Sequence, residues 1–101
     1  MIAMEIKPIR NDKELTIALS GELKSATAPQ FESFIGESLH DVESLIIDLE
    51  QVSYLSSAGL RVLLIAKKVL GKNGKMILKN AQPDVKDVFE ITGFSNVLDI
   101  L

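Results

Sequence analysis

The stretch that most limits how this chain can fold is Leu45-Ile46-Ile47-Asp48-Leu49. A half-buried strand alternates apolar and polar residues. A nearly unbroken apolar run reads instead as a strand buried on both faces, inside a sheet with helices packed against it. The flanking segments agree. Between Ser25 and Leu39, the apolar residues Phe31, Phe34, Ile35 and Leu39 recur at helical spacing. Thr27 can cap that helix, and Pro29 falls near its first turn, where a missing N–H costs little. From Ser57 to Leu70, Leu60, Leu63, Leu64 and Val69 repeat in the same way. Lys67, Lys68 and Lys72 suit the C-terminal end of a helix dipole, and Gly71 or Gly74 stops the helix.

The remaining segments extend the pattern. Met4 to Ile9 alternates, with Pro8 marking an edge strand. Asn11-Asp12-Lys13 is turn material, and Leu15 to Leu19 alternates again, so a β-hairpin opens the chain until Gly21 breaks the pattern. Met76-Ile77-Leu78 reads as a further strand. Pro83 opens a last helix with Val85, Val88, Phe89 and Ile91 as its apolar positions, ended by Thr92-Gly93. Val97 to Leu101 is a short closing strand or a docked tail. The expected fold class is α/β: a mixed, mostly parallel sheet of four to five strands, an N-terminal hairpin and helices packed against the sheet. With 101 residues, one domain spanning 1–101 is expected.

Composition removes several function classes. There is no cysteine, and His40 is the single histidine, so thiolate chemistry, disulfides and Cys- or His-built metal sites are excluded. His40, close to a helix C-terminus, reads as a surface or capping residue. The net charge is −3 with interspersed signs, which argues against nucleic acid. No leader peptide is evident, and no apolar run approaches the ~18–20 residues of a membrane span, so a cytoplasmic protein without direct membrane insertion is expected.

Residues 54–61, YLSSAGLR, pose the functional question. Ser56 can be the N-cap of the following helix, worth about 1 kcal/mol. That explains one serine. It explains neither Ser57 nor Ala58-Gly59, because glycine in a first helical turn costs about 1 kcal/mol against alanine. Gly59 points to close approach by a neighbouring strand or a partner. Tyr54 is expected beneath the loop. A nucleophile elbow needs glycine two residues before the serine, where Leu55 stands, and His40 is the only candidate base. Gly71-Lys72-Asn73-Gly74-Lys75 reads as a helix-to-strand turn, not a phosphate loop. A phosphate on a serine fits best: a helix N-terminus offers unpaired N–H groups and the positive end of the dipole.

The stretch Asp48 to Leu64, with Ser56-Ser57-Ala58-Gly59-Leu60-Arg61 at its centre, resembles the signature of STAS domains, most closely the bacterial anti-sigma-factor antagonists. Gly21-Glu22-Leu23 with Thr27-Ala28-Pro29 is similar to a second stretch of that family, and Ile91-Thr92-Gly93-Phe94 resembles its closing helix. The family's usual loop is Asp-Ser-Ser/Thr-Gly, phosphorylated on the serine after Asp. Here Ser56 stands at the Asp position, Ser57 at the acceptor and Ala58 at the next hydroxyl. Lys24 stands where members often carry Asp.

The resemblance implies a STAS fold and a partner-switching mechanism without catalytic residues, metal or cofactor in this chain. Unphosphorylated protein binds an anti-sigma factor that is also a serine kinase of the histidine-kinase-like ATPase fold. The kinase phosphorylates Ser57, with Ser56 as second choice, and the complex parts. A PP2C-type phosphatase restores the hydroxyl. The interaction face implied is Ser56, Ser57, Ala58, Gly59 and Arg61, with Glu22, Leu23, Lys24, Ser25 and Thr27 beside them. Two alternatives stay open: a STAS subunit of a membrane-associated ABC lipid transporter, and a partner-switching regulator with a non-sigma output.

Overall fold

A computed structural model of the chain describes residues 4–101. The predicted hairpin is present and longer than its alternating cores. Strand β1 (Met4–Asn11) pairs antiparallel with β2 (Glu14–Leu23), from Met4 opposite Gly21 to Asn11 opposite Glu14. Asp12 takes φ 57° in the connecting turn, a conformation Asp tolerates better than most residues. The chain continues through α1 (Ala28–Ser38), β3 (Ser44–Leu55), α2 (Ser57–Leu70), β4 (Lys75–Lys79) and α3 (Pro83–Thr92). A 3-10 turn (Phe94–Asn96) and β5 (Asp99–Ile100) close it.

The five strands lie in sequence order, and only β1/β2 is antiparallel. Each β-α-β crossover therefore advances one strand in the same direction. Right-handed crossovers of that kind place all three helices on one face. Burial shows the same asymmetry. Leu15, Ile17 and Leu19 of β2, Leu45, Ile47 and Leu49 of β3, and Met76 and Leu78 of β4 are buried. The intervening Thr16, Ile46, Asp48 and Ile77 are only partly covered. The expectation that β3 is buried on both faces is thus corrected. Ile46 lies in register between Thr16 and Ile77 on the helix-free face, where neighbouring side chains shield one another without a covering layer.

On the covered face, Phe31 and Ile35 of α1, Leu60, Leu63 and Ala66 of α2, and Val85 and Phe89 of α3 fill the core. Three predicted apolar positions, Leu64, Val69 and Ile91, lie outside it. Ile91 is 84% and Val69 54% exposed, on helix faces turned from the sheet. Helix α1 starts three residues later than expected, because residues 24–27 form a turn. His40 is exposed, and its carbonyl accepts a bond from Arg10 Nη1 at 3.1 Å, tying the hairpin to the α1–β3 connection.

Strand β3 is irregular where it approaches α2. Its pairing with β2 shifts between Ala18 and Ser20, and again between Gly21 and Glu22. Each shift adds one residue to β3. Its buried residues then fall three apart, at Leu49, Val52 and Leu55, instead of two. Such bulges bend a strand and re-aim its side chains. Asp48 Oδ1 accepts from Glu50 N at 3.0 Å and from Asn80 Nδ2 at 3.2 Å, and Gln82 Nε2 donates to Glu50 O at 2.7 Å. The first bulge is therefore anchored to the β4–α3 connection.

Candidate functional site

The C-terminal ends of β2 and β3 lie side by side, Leu23 opposite Leu55. Open parallel sheets bind their ligands at this end. The Ser56 N–H donates to Leu23 O at 3.0 Å, so the start of α2 is fastened to the end of β2. Gly59 makes the approach possible. A Cβ there would lie 2.7 Å from Leu23 Cγ, 2.8 Å from Leu55 Cδ1 and 2.9 Å from Leu23 O. The close approach predicted at Gly59 is thus made by neighbouring strands of this chain.

Ser56 is the N-cap of α2, with extended backbone at φ −102° and ψ 176°. The first helical bond runs from Leu60 N–H to Ser56 O at 3.0 Å. The preceding N–H groups of the first turn have no acceptor within their own helix. The capping bond expected from Ser56 is not made. Its Oγ is buried without a partner among the described residues. Ser57, the first helical residue, is exposed. An exposed hydroxyl thus stands beside unpaired donors at the positive end of a fourteen-residue helix.

The neighbouring loop is held from within. Thr27 is 5% exposed. Its Oγ1 donates to Glu22 O at 2.6 Å and accepts from Lys24 N at 3.0 Å. Thr27 N and Ala28 N both donate to Lys24 O, at 3.0 and 2.7 Å. Thr27 is the N-cap of α1 by position but makes no side-chain cap bond to the helix. On the outside of this loop, Lys24 Nζ lies 2.9 Å from Glu22 Oε1. The hydrogen bond and charge of Glu22, with a smaller contribution from Tyr54, hold the Lys24 pKa above the ordinary lysine value.

Of the residues expected on the interaction face, Glu22, Lys24, Ser25, Ser57, Ala58 and Arg61 reach solvent around these two loops. Leu23, Thr27 and Gly59 are buried, so they shape the surface and do not present side chains to a partner. Two shallow grooves flank the loop. One, of about 200 Å³, runs between Ser25, Pro29 and Glu32 on one side and Ala58, Arg61 and Val62 on the other. The second, of about 270 Å³, is lined by Ser53, Tyr54, Asp84, Val85 and Val88. Tyr54 is 50% exposed, not packed beneath the loop as expected, because the second bulge turns it outward. Sequence reasoning also missed Pro29, Glu32 and Asp84. Pro29 lies across α1 from Phe31, and Glu32 lies at the edge of the Phe31–Ile35 stripe beside α2, so a helical wheel could have placed both at the surface; Asp84 had no such signal. Among the described residues no group of three His, Asp or Glu side chains could hold a metal ion, and no helix is long and apolar enough to cross a membrane.

Known proteins share this architecture. The STAS domain model matches residues 4–100. BtrV of Bordetella bronchiseptica, whose name describes it provisionally as an anti-sigma factor antagonist, is 35% identical over 96% of this chain and 85% of its own. The anti-sigma-B factor antagonist of Listeria monocytogenes is 33% identical over 98% of this chain and 88% of its own. The crystal structure of an anti-sigma factor antagonist from Mycobacterium paratuberculosis superposes with a TM-score of 0.88 at 28% identity, covering 96% of this chain and 84% of that one.

Proposed function

This chain belongs to the STAS domain family, and from that membership we propose that it is an anti-sigma-factor antagonist working by partner switching. The observation that carries the reading is the exposed Ser57 hydroxyl at the first position of α2, between two grooves and beside unpaired first-turn N–H groups. The names of the relatives support the biological role.

In this reading residues 1–101 form one cytoplasmic regulatory domain that acts by binding and performs no catalysis. The unphosphorylated surface, made of Glu22, Lys24, Ser25, Ser57, Ala58 and Arg61, docks an anti-sigma factor that is also a serine kinase of the histidine-kinase-like ATPase fold. Magnesium-ATP belongs to that partner. Ser57 Oγ attacks the γ-phosphorus, its proton passes to a base of the kinase, and ADP leaves. The new phosphate carries about −1.5 to −2 charges. The helix N-terminus stabilises that charge within the chain, so the fold persists while the docking surface changes sign. A loss of about 2.8 kcal/mol lowers affinity roughly 100-fold. Hydrolysis by a PP2C-type phosphatase returns the hydroxyl and releases inorganic phosphate.

The test is phosphate mapping by mass spectrometry after incubation with the cognate kinase and magnesium-ATP, with Ser57→Ala in parallel. One phosphate on Ser57, absent from the variant, is expected. Phosphate on Ser56 would reassign the acceptor. No phosphate with an active kinase would overturn the switch.

A further inference from the structure

At the opposite end of α2 the structure carries a second surface that the switch does not use. Residues 51–83 contain six cations, Arg61, Lys67, Lys68, Lys72, Lys75 and Lys79, and no carboxylate. The rest of the chain has five cations against 14 carboxylates. Three of the lysines gather in one place. Leu64, Lys67 and Gly71 follow one another along a face of α2 and form one wall of a groove of about 390 Å³. Val97, just after the 3-10 turn, forms the other, and Lys68, Lys72 and Gly74 complete the rim.

Val97 is 49% exposed although Leu98 beside it is buried, so the groove presents an apolar surface held in place by the core. Among the described residues none of Lys67, Lys68 and Lys72 makes an ion pair. The helix dipole accounts for lysines in the last turn. It does not account for Lys72 beyond the cap at Gly71, nor for the exposed valine facing them.

We propose that the groove between the C-terminal half of α2 and Val97 docks an acidic, amphipathic helical segment of a partner protein. Its apolar side chains would enter between Leu64 and Val97, and its carboxylates would meet Lys67, Lys68 and Lys72. This is helix-in-groove recognition with charge complementarity. An open groove with one apolar side chain on each wall suits an amphipathic segment better than a flat bilayer. A chain of net charge −3 with no aromatic side chain in this groove suits nucleic acid poorly. Lys67, the first of the three lysines, lies ten residues past Ser57 on α2, and the helix rises about 1.5 Å per residue, so the lysine cluster begins roughly 15 Å from Ser57 along the axis. That exceeds the Debye length of about 8–10 Å at ordinary salt. The contact is therefore indifferent to phosphorylation and can hold a partner while the switch end opens. The inference stands without the phosphorylation reading.

The test titrates the isotope-labelled full chain with a synthetic helical peptide bearing leucines on one face and glutamates on the other, followed by amide chemical shifts. Saturable shifts centred on residues 64–74 and 97 are expected. Lys67→Glu with Lys68→Glu should weaken binding about tenfold, and Val97→Ser should weaken it too. Ser57→Glu should leave it unchanged. The lysines are on the surface, and a dispersed spectrum of each variant confirms its fold. Overturning results are no saturable binding, shifts elsewhere, full affinity in the double variant, or equal affinity for polyglutamate, which lacks the apolar face. Cosedimentation with phosphatidylglycerol vesicles without peptide binding would assign the lysines to a membrane surface and overturn the proposal.

Discussion

Helices α1 and α2 begin alike and are used differently. Each follows a strand of the parallel sheet, and each has a hydroxyl residue, Thr27 or Ser56, at its N-cap position. Neither hydroxyl caps its helix. Thr27 Oγ1 bonds backward into the 22–24 segment and is fully engaged. Ser56 Oγ is buried and unpartnered, and the next residue, Ser57, is exposed. The first arrangement uses a side chain to lock a loop. The second leaves the first-turn N–H donors of α2 without a side-chain cap. Hydroxyls in equivalent places thus differ in whether their own chain already satisfies them.

Substitutions can break or sharpen this contrast. The largest effect is expected at Gly59, whose missing side chain lets α2 sit against Leu23 and Leu55. Gly59→Ala should destabilise the fold by about 1–3 kcal/mol in denaturant titration, because one of its contacts is the Leu23 carbonyl. Thr27→Val should cost about 1–3 kcal/mol, leaving Lys24 N–H and Glu22 O without their side-chain partner. Ser56→Ala, the matched change in α2, should stay within about 0.5 kcal/mol of wild type, since no bond is lost. Equal costs at Thr27 and Ser56 would erase the distinction.

The smallest effect concerns pH. Glu22 raises the Lys24 pKa, so the pair is intact across neutral pH and through the ordinary lysine range and is lost as pH rises through the raised value. Partner affinity measured across neutral pH should therefore show no pH dependence arising from Lys24, and a Lys24-dependent decline should begin in the alkaline range. A step near neutrality at a Lys24-dependent contact would contradict the assignment.

Periodicity located most of the architecture. Helix α2 runs from Ser57 to Leu70 as its spacing indicates, Gly93 ends α3 at φ 81°, the hairpin lies where alternation puts it, and the central strands lie where their apolar runs put them. What failed was governed by partners in space. The two bulges of β3 are a property of its register with β2, so Tyr54, expected beneath the loop, faces outward instead. The helix-free face of the sheet was hidden because Ile46 is as apolar as a residue under a helix. Thr27 reads from the sequence as a cap or a contact, and its partners at Glu22 and Lys24 make it a loop lock instead. At the site, the sequence indicated the Ser56–Arg61 loop, whereas the grooves beside it required the packing of α1 and α3 against that loop.

The central claim is that the start of α2 is a docking surface gated by charge on Ser57. The most direct measurement is the affinity of the cognate anti-sigma factor for the unmodified chain and for the same chain phosphorylated on Ser57, by calorimetry in one buffer. A loss of about 100-fold, with the fold of the phosphorylated chain intact, is predicted. Equal affinities would contradict the account and leave the α2 N-terminus as a structural cap.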